Sequence, residues 1–167
     1  MVKKRIFNRA FTFAELLVVI AIIGIVGSIG YGLLLKMLQF YYLNAARTDI
    51  QRELRITLDN MDRTLRQASA TSLQITQDTG QPPYSKMIFT TVDGSSVTYR
   101  QSAHQLIQSV GSNQKTLTQN LRYIAFTYPQ TDINSVLSVS ITLEKKTFSG
   151  RTTALQMAIT KVRVMNP

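Results

Sequence analysis

The feature that most constrains this chain is an uncharged apolar run near its N-terminus. No charged residue occurs from Leu16 to Leu35, and a helix needs about ~20 apolar residues to cross the hydrocarbon core of a bilayer. A helix is the predicted form because lipid offers no hydrogen-bond partner to a free backbone amide or carbonyl. The segment before the run is basic, with Lys3, Lys4, Arg5 and Arg9. The positive-inside rule keeps such a segment in the cytoplasm, so the residues after the span are predicted to lie outside.

One carboxylate, that of Glu15, stands at the head of the apolar run. Phe11, Thr12, Phe13 and Ala14 continue the apolar pattern on its N-terminal side. A charged group inside a spanning helix costs on the order of 2.5–3.5 kcal/mol on insertion scales, so it indicates a function and a partner. The alternative is that Glu15 lies at the cytoplasmic interface and is solvated there.

Around this carboxylate the chain reads Phe11-Thr12-Phe13-Ala14-Glu15-Leu16-Leu17-Val18-Val19. The stretch resembles the N-terminal processing segment of type IV pilins and type II secretion pseudopilins. In that family a short basic leader is cut just before a Phe, and the residues that follow have a pattern such as F-T-L-I-E-L-L-V-V. A basic leader, a Phe, a Glu four residues later and a spanning run rarely occur together.

The resemblance implies three roles for residues of this segment. A prepilin peptidase would cut the Ala10–Phe11 bond, and the new N-terminal Phe11 would be N-methylated. Glu15 would pair with the free amine of Phe11 on a neighbouring subunit. The family usually has Gly before the cut, and this chain has Ala10, which is also small. No catalytic residue, metal site or cofactor is implied.

The charges in this arrangement are complementary. Cleavage after Ala10 would create a positive amine four residues from Glu15, and residues at that spacing lie on one face of a helix. Between packed helices, the amine of one subunit could neutralise the carboxylate of the next. An unpaired charge in lipid is costly and a paired one much less so, which would make subunits associate in one axial register.

Composition fits one modest folded domain with a membrane helix, since the chain has 167 residues, 44% of them hydrophobic. The formal charge is +10, and removal of the four basic leader residues would leave six. That excess favours either an acidic partner or a solvated basic surface. Cysteine is absent, which excludes disulfides, thiolate metal sites and a cysteine nucleophile.

Beyond Leu38 the apolar residues recur at steps of three and four, which is typical of an amphipathic helix. They are Leu43, Ala46, Ile50, Leu54, Leu58 (or Thr57), Met61, Leu65 and Ala68. Proline is absent before Pro82. We therefore predict one long helix from about Phe11 to Ser69, first in lipid and then laid across an exported domain.

After a polar loop over residues 71–84, which contains a short strand at Leu73–Thr76, the apolar period changes to two. The predicted strands are Met87–Val92, Val97–Gln101, Leu106–Val110, Lys115–Gln119, Leu121–Tyr128 and a half-buried strand through Leu137–Leu143. Residues 93–96 and 111–114 are predicted to be the turns of two hairpins.

The last predicted strand contains Leu155, Met157 and Ile159, and then Val162 and Val164 one residue out of phase. The shift predicts a bulge or a bend near Thr160–Lys161. The fold class is α+β, a long N-terminal helix packed on antiparallel sheet in a pilin-like arrangement. The domain boundaries are predicted as a leader at 1–10, a transmembrane helix at 11–35, an amphipathic continuation at 36–70 and an exported β-rich domain at 71–167.

A second, looser resemblance covers more of the chain. Several segments are similar to J-type minor pseudopilins of type II secretion and W-type minor pilins. They are the helix from Gln51-Arg52-Glu53-Leu54 through Met61–Ala68, the Val97-Thr98-Tyr99-Arg100 strand, the Leu121–Tyr128 strand and the terminal Val162–Asn166. This implies a minor subunit that primes or caps assembly of a pseudopilus or pilus. Its partners would be the prepilin peptidase and methyltransferase, sister minor and major subunits and the inner-membrane assembly platform.

No enzyme is predicted. His104 is the single histidine, and Asp78, Asp93 and Asp132 lack calcium-loop spacing. One alternative function is DNA binding in a DNA-uptake system, with candidate residues Arg47, Arg52, Arg55, Arg63 and Arg66. These arginines are interleaved with acids, which argues against a phosphate-binding stripe.

Two further alternatives concern the apolar run itself. The chain could be a membrane-anchored exported binding domain that never polymerises. The run could instead be a secretory signal peptide cut near Ser28 or Gly30, although it is longer than the usual apolar region of such peptides. The favoured localisation is a single pass through the inner membrane, with a cytoplasmic leader and a periplasmic or extracellular domain.

Overall fold

The computed structural model describes residues 12–130, 135–147 and 153–164. One α-helix, α1, runs from Phe13 to Arg66 without interruption, which confirms the predicted long helix; Phe11 lies outside the described residues. The helix ends three residues earlier than predicted. Its last turn tightens, with Gln67 N donating to Thr64 O and Ala68 N to Leu65 O, and such i→i−3 bonds are common at helix ends. A short 3-10 helix, Ala70–Ser72, follows.

The chain forms two compact units, with the boundary between Tyr41 and Tyr42. In the described part of the first unit the whole backbone is helical from Phe13 onward. The four glycines from Gly24 to Gly32 do not interrupt it.

The second unit contains two antiparallel sheets. The first has five strands in the order β1-β2-β3-β4-β5, each paired with its neighbour in the chain. Its strands are β1 (Gln74–Thr76), β2 (Lys86–Thr90), β3 (Ser96–Ser102), β4 (Gln105–Val110) and β5 (Asn113–Thr118). Both predicted hairpins are present. The second has a shorter turn than predicted, because Val110 pairs with Asn113 and Gly111 takes a positive φ of 57°.

The second sheet has three strands in the order β6-β7-β8. Its strands are β6 (Leu121–Thr127), β7 (Val136–Lys146) and β8 (Thr153–Arg163). β7 presents Leu137, Val139, Ile141 and Leu143 to the core, as the alternation predicted. The sheets are joined by Gln101, whose Oε1 accepts a hydrogen bond from Ile124 N at 3.2 Å and whose Nε2 donates to Arg122 O at 3.3 Å.

The apolar stripe of α1 covers the core of the second unit. The buried helix residues are Ala46, Ile50, Leu54, Thr57, Met61 and Leu65. The sequence left open whether Thr57 or Leu58 belongs to the apolar stripe. Thr57 is buried and Leu58 is half-buried, so Thr57 holds the inner position. Polar contacts also hold the helix to the strands, with Asn120 Nδ2 donating to Glu53 at 2.8 Å and Lys145 Nζ to Asp49 at 2.9 Å.

The predicted bulge at Thr160–Lys161 is wrong. β7 and β8 pair in continuous register from Val136↔Arg163 to Lys146↔Thr153. The apparent phase shift arises because the apolar residues change face: Val162 is buried, whereas Met157 points outward and is exposed. The register irregularities lie elsewhere, between Leu106 and Ile107 and between Leu121 and Tyr123.

Candidate functional site

The N-terminus of α1 is capped by two side chains that form hydrogen bonds with each other and with the backbone. Thr12 N donates to Glu15 Oε2 at 2.9 Å, and Thr12 Oγ1 donates to the same oxygen at 3.0 Å. In return, Glu15 N lies 3.3 Å from Thr12 Oγ1. This reciprocal arrangement is a capping box, in which the residue before a helix and the third helical residue satisfy each other's free amides.

The sequence favours this geometry locally. Leu16 N donates to Thr12 O at 3.2 Å, the first i→i−4 bond of the helix, so Thr12 occupies the cap position. Threonine is a preferred cap because its hydroxyl can accept from a free amide of the first turn. The Glu15 carboxylate also lies at the positive end of the helix dipole, where an anion is stabilised.

Of the three predicted site residues, the structure describes only Glu15. Glu15 lies in the first turn of α1, and its carboxylate is solvent-exposed within this chain. Ala10 and Phe11 lie outside the described residues. The sequence interpretation missed Thr12 as the partner of Glu15. The spacing Thr-x-x-Glu before an apolar run would have predicted it.

The helical segment after the cap is exposed along its whole length. Every residue from Thr12 to Tyr42 is exposed, including large side chains such as Ile23 and Leu34. Within the described residues, α1 is the one helix long and apolar enough to span a membrane. Contiguous exposed apolar surface of this size is typical of a segment covered by lipid or by other chains.

Comparison with known proteins identifies this segment. Residues 7–31 match the prokaryotic N-terminal methylation motif. The matched range contains Ala10, Phe11 and Glu15, and it supports a type IV pilin-like protein. The motif implies processing by a prepilin peptidase and assembly with other pilins, and pilin-like structural subunits are generally not enzymes. No curated protein and no solved structure matches the chain.

The titratable residues outside the motif do not converge on a metal site. Among the described residues no group of three or more His, Asp or Glu side chains could hold a metal ion. His104 is exposed, with Nδ1 3.3 Å from Leu121 O. Asp78 forms ion pairs with Lys86 at 2.7 Å and Arg100 at 3.9 Å. Asp132 lies outside the described residues.

The arginines considered for DNA binding are all exposed on α1. They are Arg47, Arg52, Arg55, Arg63 and Arg66. Asp62 lies 2.8 Å from Arg66 Nε, and Asp49 and Glu53 are interleaved with them along the helix. The helix therefore presents mixed charge, which argues against a continuous phosphate-binding stripe.

Two tyrosines in the second unit have altered acidity. Burial raises the pKa of Tyr99 to about 12, an effect partly opposed by a hydrogen bond with Thr64 of α1. Gln108 Nε2 also donates to the Tyr99 hydroxyl at 3.0 Å. Burial likewise raises the pKa of Tyr128. Tyr99 is buried in the core and Tyr128 is half-buried against it, which indicates a packing role for both rings.

Proposed function

We propose that this protein is a minor pilin or pseudopilin, a structural subunit that primes or caps assembly of a type II secretion pseudopilus or a type IV pilus. The observation that carries the proposal is the methylation motif at residues 7–31. Its position at the head of a membrane-length helix, whose residues from Thr12 to Tyr42 are all exposed, supports the proposal. The resemblance to J-type pseudopilins and W-type minor pilins supports the minor role.

In this proposal the chain is processed before it assembles. The leader, residues 1–10, is removed by cleavage of the Ala10–Phe11 bond, and Phe11 is N-methylated. Residues 11–35 form the transmembrane helix, residues 36–70 continue it, and residues 71–167 form the exported domain. The processed protein is held in the inner membrane and passes into the filament through the assembly platform, beside sister minor and major subunits.

Glu15 sets the axial register in this proposal. Its carboxylate already accepts two hydrogen bonds from Thr12, so it is held at the N-terminal end of the helix. In a filament the amine of Phe11 from a neighbouring subunit would add a charged partner at that end. A paired charge is far less costly in an apolar surrounding than a lone one, which would favour one register over others.

The first test is the N-terminal mass of the mature protein, expressed with its own prepilin peptidase. We expect a chain that begins at N-methylated Phe11. Retention of the leader, or cleavage near residue 30, would contradict the proposal. The second outcome would identify a secreted domain and remove any role for Glu15 in assembly.

The second test separates the charge of Glu15 from its capping role. Glu15→Gln keeps an oxygen that can accept from Thr12 N but removes the charge, whereas Glu15→Ala removes both. We expect both variants to block or slow filament assembly without unfolding the exported domain, measured by sheared-filament yield and thermal denaturation. Glu144→Gln, a carboxylate on β7, is the matched control and should assemble normally.

The pattern of results distinguishes the alternatives. Normal assembly of Glu15→Gln with loss of assembly in Glu15→Ala would assign Glu15 to helix capping alone and contradict the charge pairing. A membrane anchor that never polymerises predicts no filament incorporation of the wild-type chain at all.

A further inference from the structure

The last strand carries exposed apolar side chains on the face turned away from the core. Leu155, Met157 and Ile159 are 50%, 58% and 58% exposed, and we call these three residues the apolar row. The inward positions between them are occupied by residues that are buried or half-buried, such as Ala154 and Ala158. The apolar row therefore lies outside the core of its own domain.

Within the described residues, the outer side of the same backbone also has no strand beside it. β8 is the edge of its sheet, with β7 on one side only. Val164 N donates to Ser135 O at 2.8 Å, which fixes the phase of the ladder. Since successive residues direct their backbone groups alternately toward and away from the neighbouring strand, Val162 bonds to β7 and the apolar row points its N–H and C=O groups outward. No bond to these outward groups occurs within the described parts of the chain.

The part of this edge that carries the apolar row lacks the usual protection against pairing. Natural edge strands are commonly short, or carry charges, proline or a bulge. β8 is 11 residues long and pairs with β7 without a register shift. From Ala154 to Thr160 it contains neither a charge nor a proline. A long and apolar edge is a template for another strand.

The charges at one end of the edge select the partner. Lys161 and Arg163 follow the apolar row on the same face and are exposed, and neither forms an ion pair within the described residues. β8 contains no acidic residue, so a second copy of this strand would bring only further positive charge. A partner with carboxylates at this end would be complementary.

We propose that the β8 edge binds an extended segment of a different protein chain by strand addition. The segment would carry apolar side chains at alternate positions, beside the apolar row, and a carboxylate opposite Lys161 and Arg163. Main-chain hydrogen bonds would supply affinity, and the alternating side chains and the acid would supply specificity. This inference does not depend on the filament function.

The test uses the full chain in detergent micelles and short fluorescent peptides that alternate Val and Thr. One peptide carries two Asp at its N-terminal end and another carries them at its C-terminal end, because strand direction is not known in advance. We expect one of the two to bind, measured by fluorescence anisotropy. We expect the same peptide with Lys in place of Asp, or with N-methyl groups on the amides that face β8, to bind about tenfold more weakly or worse.

Variants of the chain locate the binding site. Met157→Lys should weaken binding of the acidic peptide about tenfold, whereas Met157→Thr, which keeps a strand-forming residue, should weaken it less. Val92→Lys places the same charge on an exposed apolar residue of the β2–β3 turn and should bind like wild type. Lys161→Glu with Arg163→Glu should reverse the preference toward the Lys peptide. Hydrogen exchange should slow at the amides of the apolar row when the acidic peptide binds.

Three outcomes would overturn the proposal. The first is failure of both acidic peptides to bind at saturating concentration. The second is equal binding by Met157→Lys or by the N-methylated peptide. The third is concentration-dependent dimerisation that Met157→Lys abolishes in sedimentation velocity, since this would assign the edge to a second copy of the chain.

Discussion

The two halves of α1 share one backbone conformation and differ in what their side chains contact. From Phe13 to Tyr41 every residue is exposed, although most are apolar. From Tyr42 to Arg66 a side chain is buried at every third or fourth position, with Ile50 and Leu65 fully buried. The first half has apolar residues around its whole circumference, and the second has a single apolar stripe.

The difference shows that helix formation and helix burial are specified separately. An amphipathic stripe identifies the face that packs against the chain's own sheets. A helix that is apolar all round needs an apolar surrounding on every side, which this domain does not provide. Substitutions in the second half should therefore change the stability of the folded domain. Substitutions in the first half should instead change how the helix sits in a membrane.

The largest effect should come from shortening a leucine of the buried stripe. Leu65 has 0% exposure and Leu34 has 55%. We expect Leu65→Ala to destabilise the domain by about 2–5 kcal/mol, because it removes buried methyl groups and leaves a cavity. Leu34→Ala, the same change in the other half, should leave the unfolding midpoint unchanged. Denaturant unfolding in detergent, followed by near-ultraviolet circular dichroism of the tyrosines, measures both, and equal effects would contradict the separation.

A smaller effect on stability should appear at alkaline pH, because of Tyr99, whose ring lies beneath the second half of the helix. The pKa of Tyr99 is raised by burial to about 12, while an unfolded tyrosine ionises near pH 10. Between these values the unfolded state loses the proton and the folded state keeps it, so stability falls as pH rises from about 10 to about 12, by up to roughly 3 kcal/mol. Tyr99→Phe should remove this part of the pH dependence in thermal unfolding measured across that range. An unchanged alkaline slope in Tyr99→Phe would assign the loss to other groups.

The smallest effect should come from the solvent face of the same half. Asp62 and Arg66 form an i,i+4 ion pair at 2.8 Å with partly exposed side chains. Such pairs contribute only about 0.2–0.5 kcal/mol. Asp62→Ala should therefore shift the unfolding midpoint slightly, and less at high salt. A loss as large as that of Leu65→Ala would mean that this face also packs against the domain.

The sequence predicted α1, most strand positions and the two hairpins well because their signals are periodic and local, but it did not predict the division of the strands into two sheets. It failed where the same period allows two orientations. Alternation places Leu155, Met157 and Ile159 on one face of β8 but does not say which face is buried. The structure turns them outward and places small or polar residues such as Ala158 on the inner face, so no bulge is needed.

The candidate site was predictable in part. The motif identified Glu15 because a carboxylate beside an apolar run is rare, and residues 7–31 match the methylation motif. The bond between Glu15 and Thr12 follows from the Thr-x-x-Glu spacing of a helix cap and not from the charge of Glu15. The Asn120–Glu53 contact, between residues 67 positions apart, has no local signal and depends on tertiary packing.

The strand order also has a consequence for the time at which the second unit becomes complete. Both sheets are meanders in which each strand pairs with the one before it in the chain. Local pairings of this kind need little loop closure and favour fast folding. A chain synthesised from its N-terminus can therefore add strands in the order of their synthesis. β8 arrives last, and until it does, the long central strand β7 has only one neighbour.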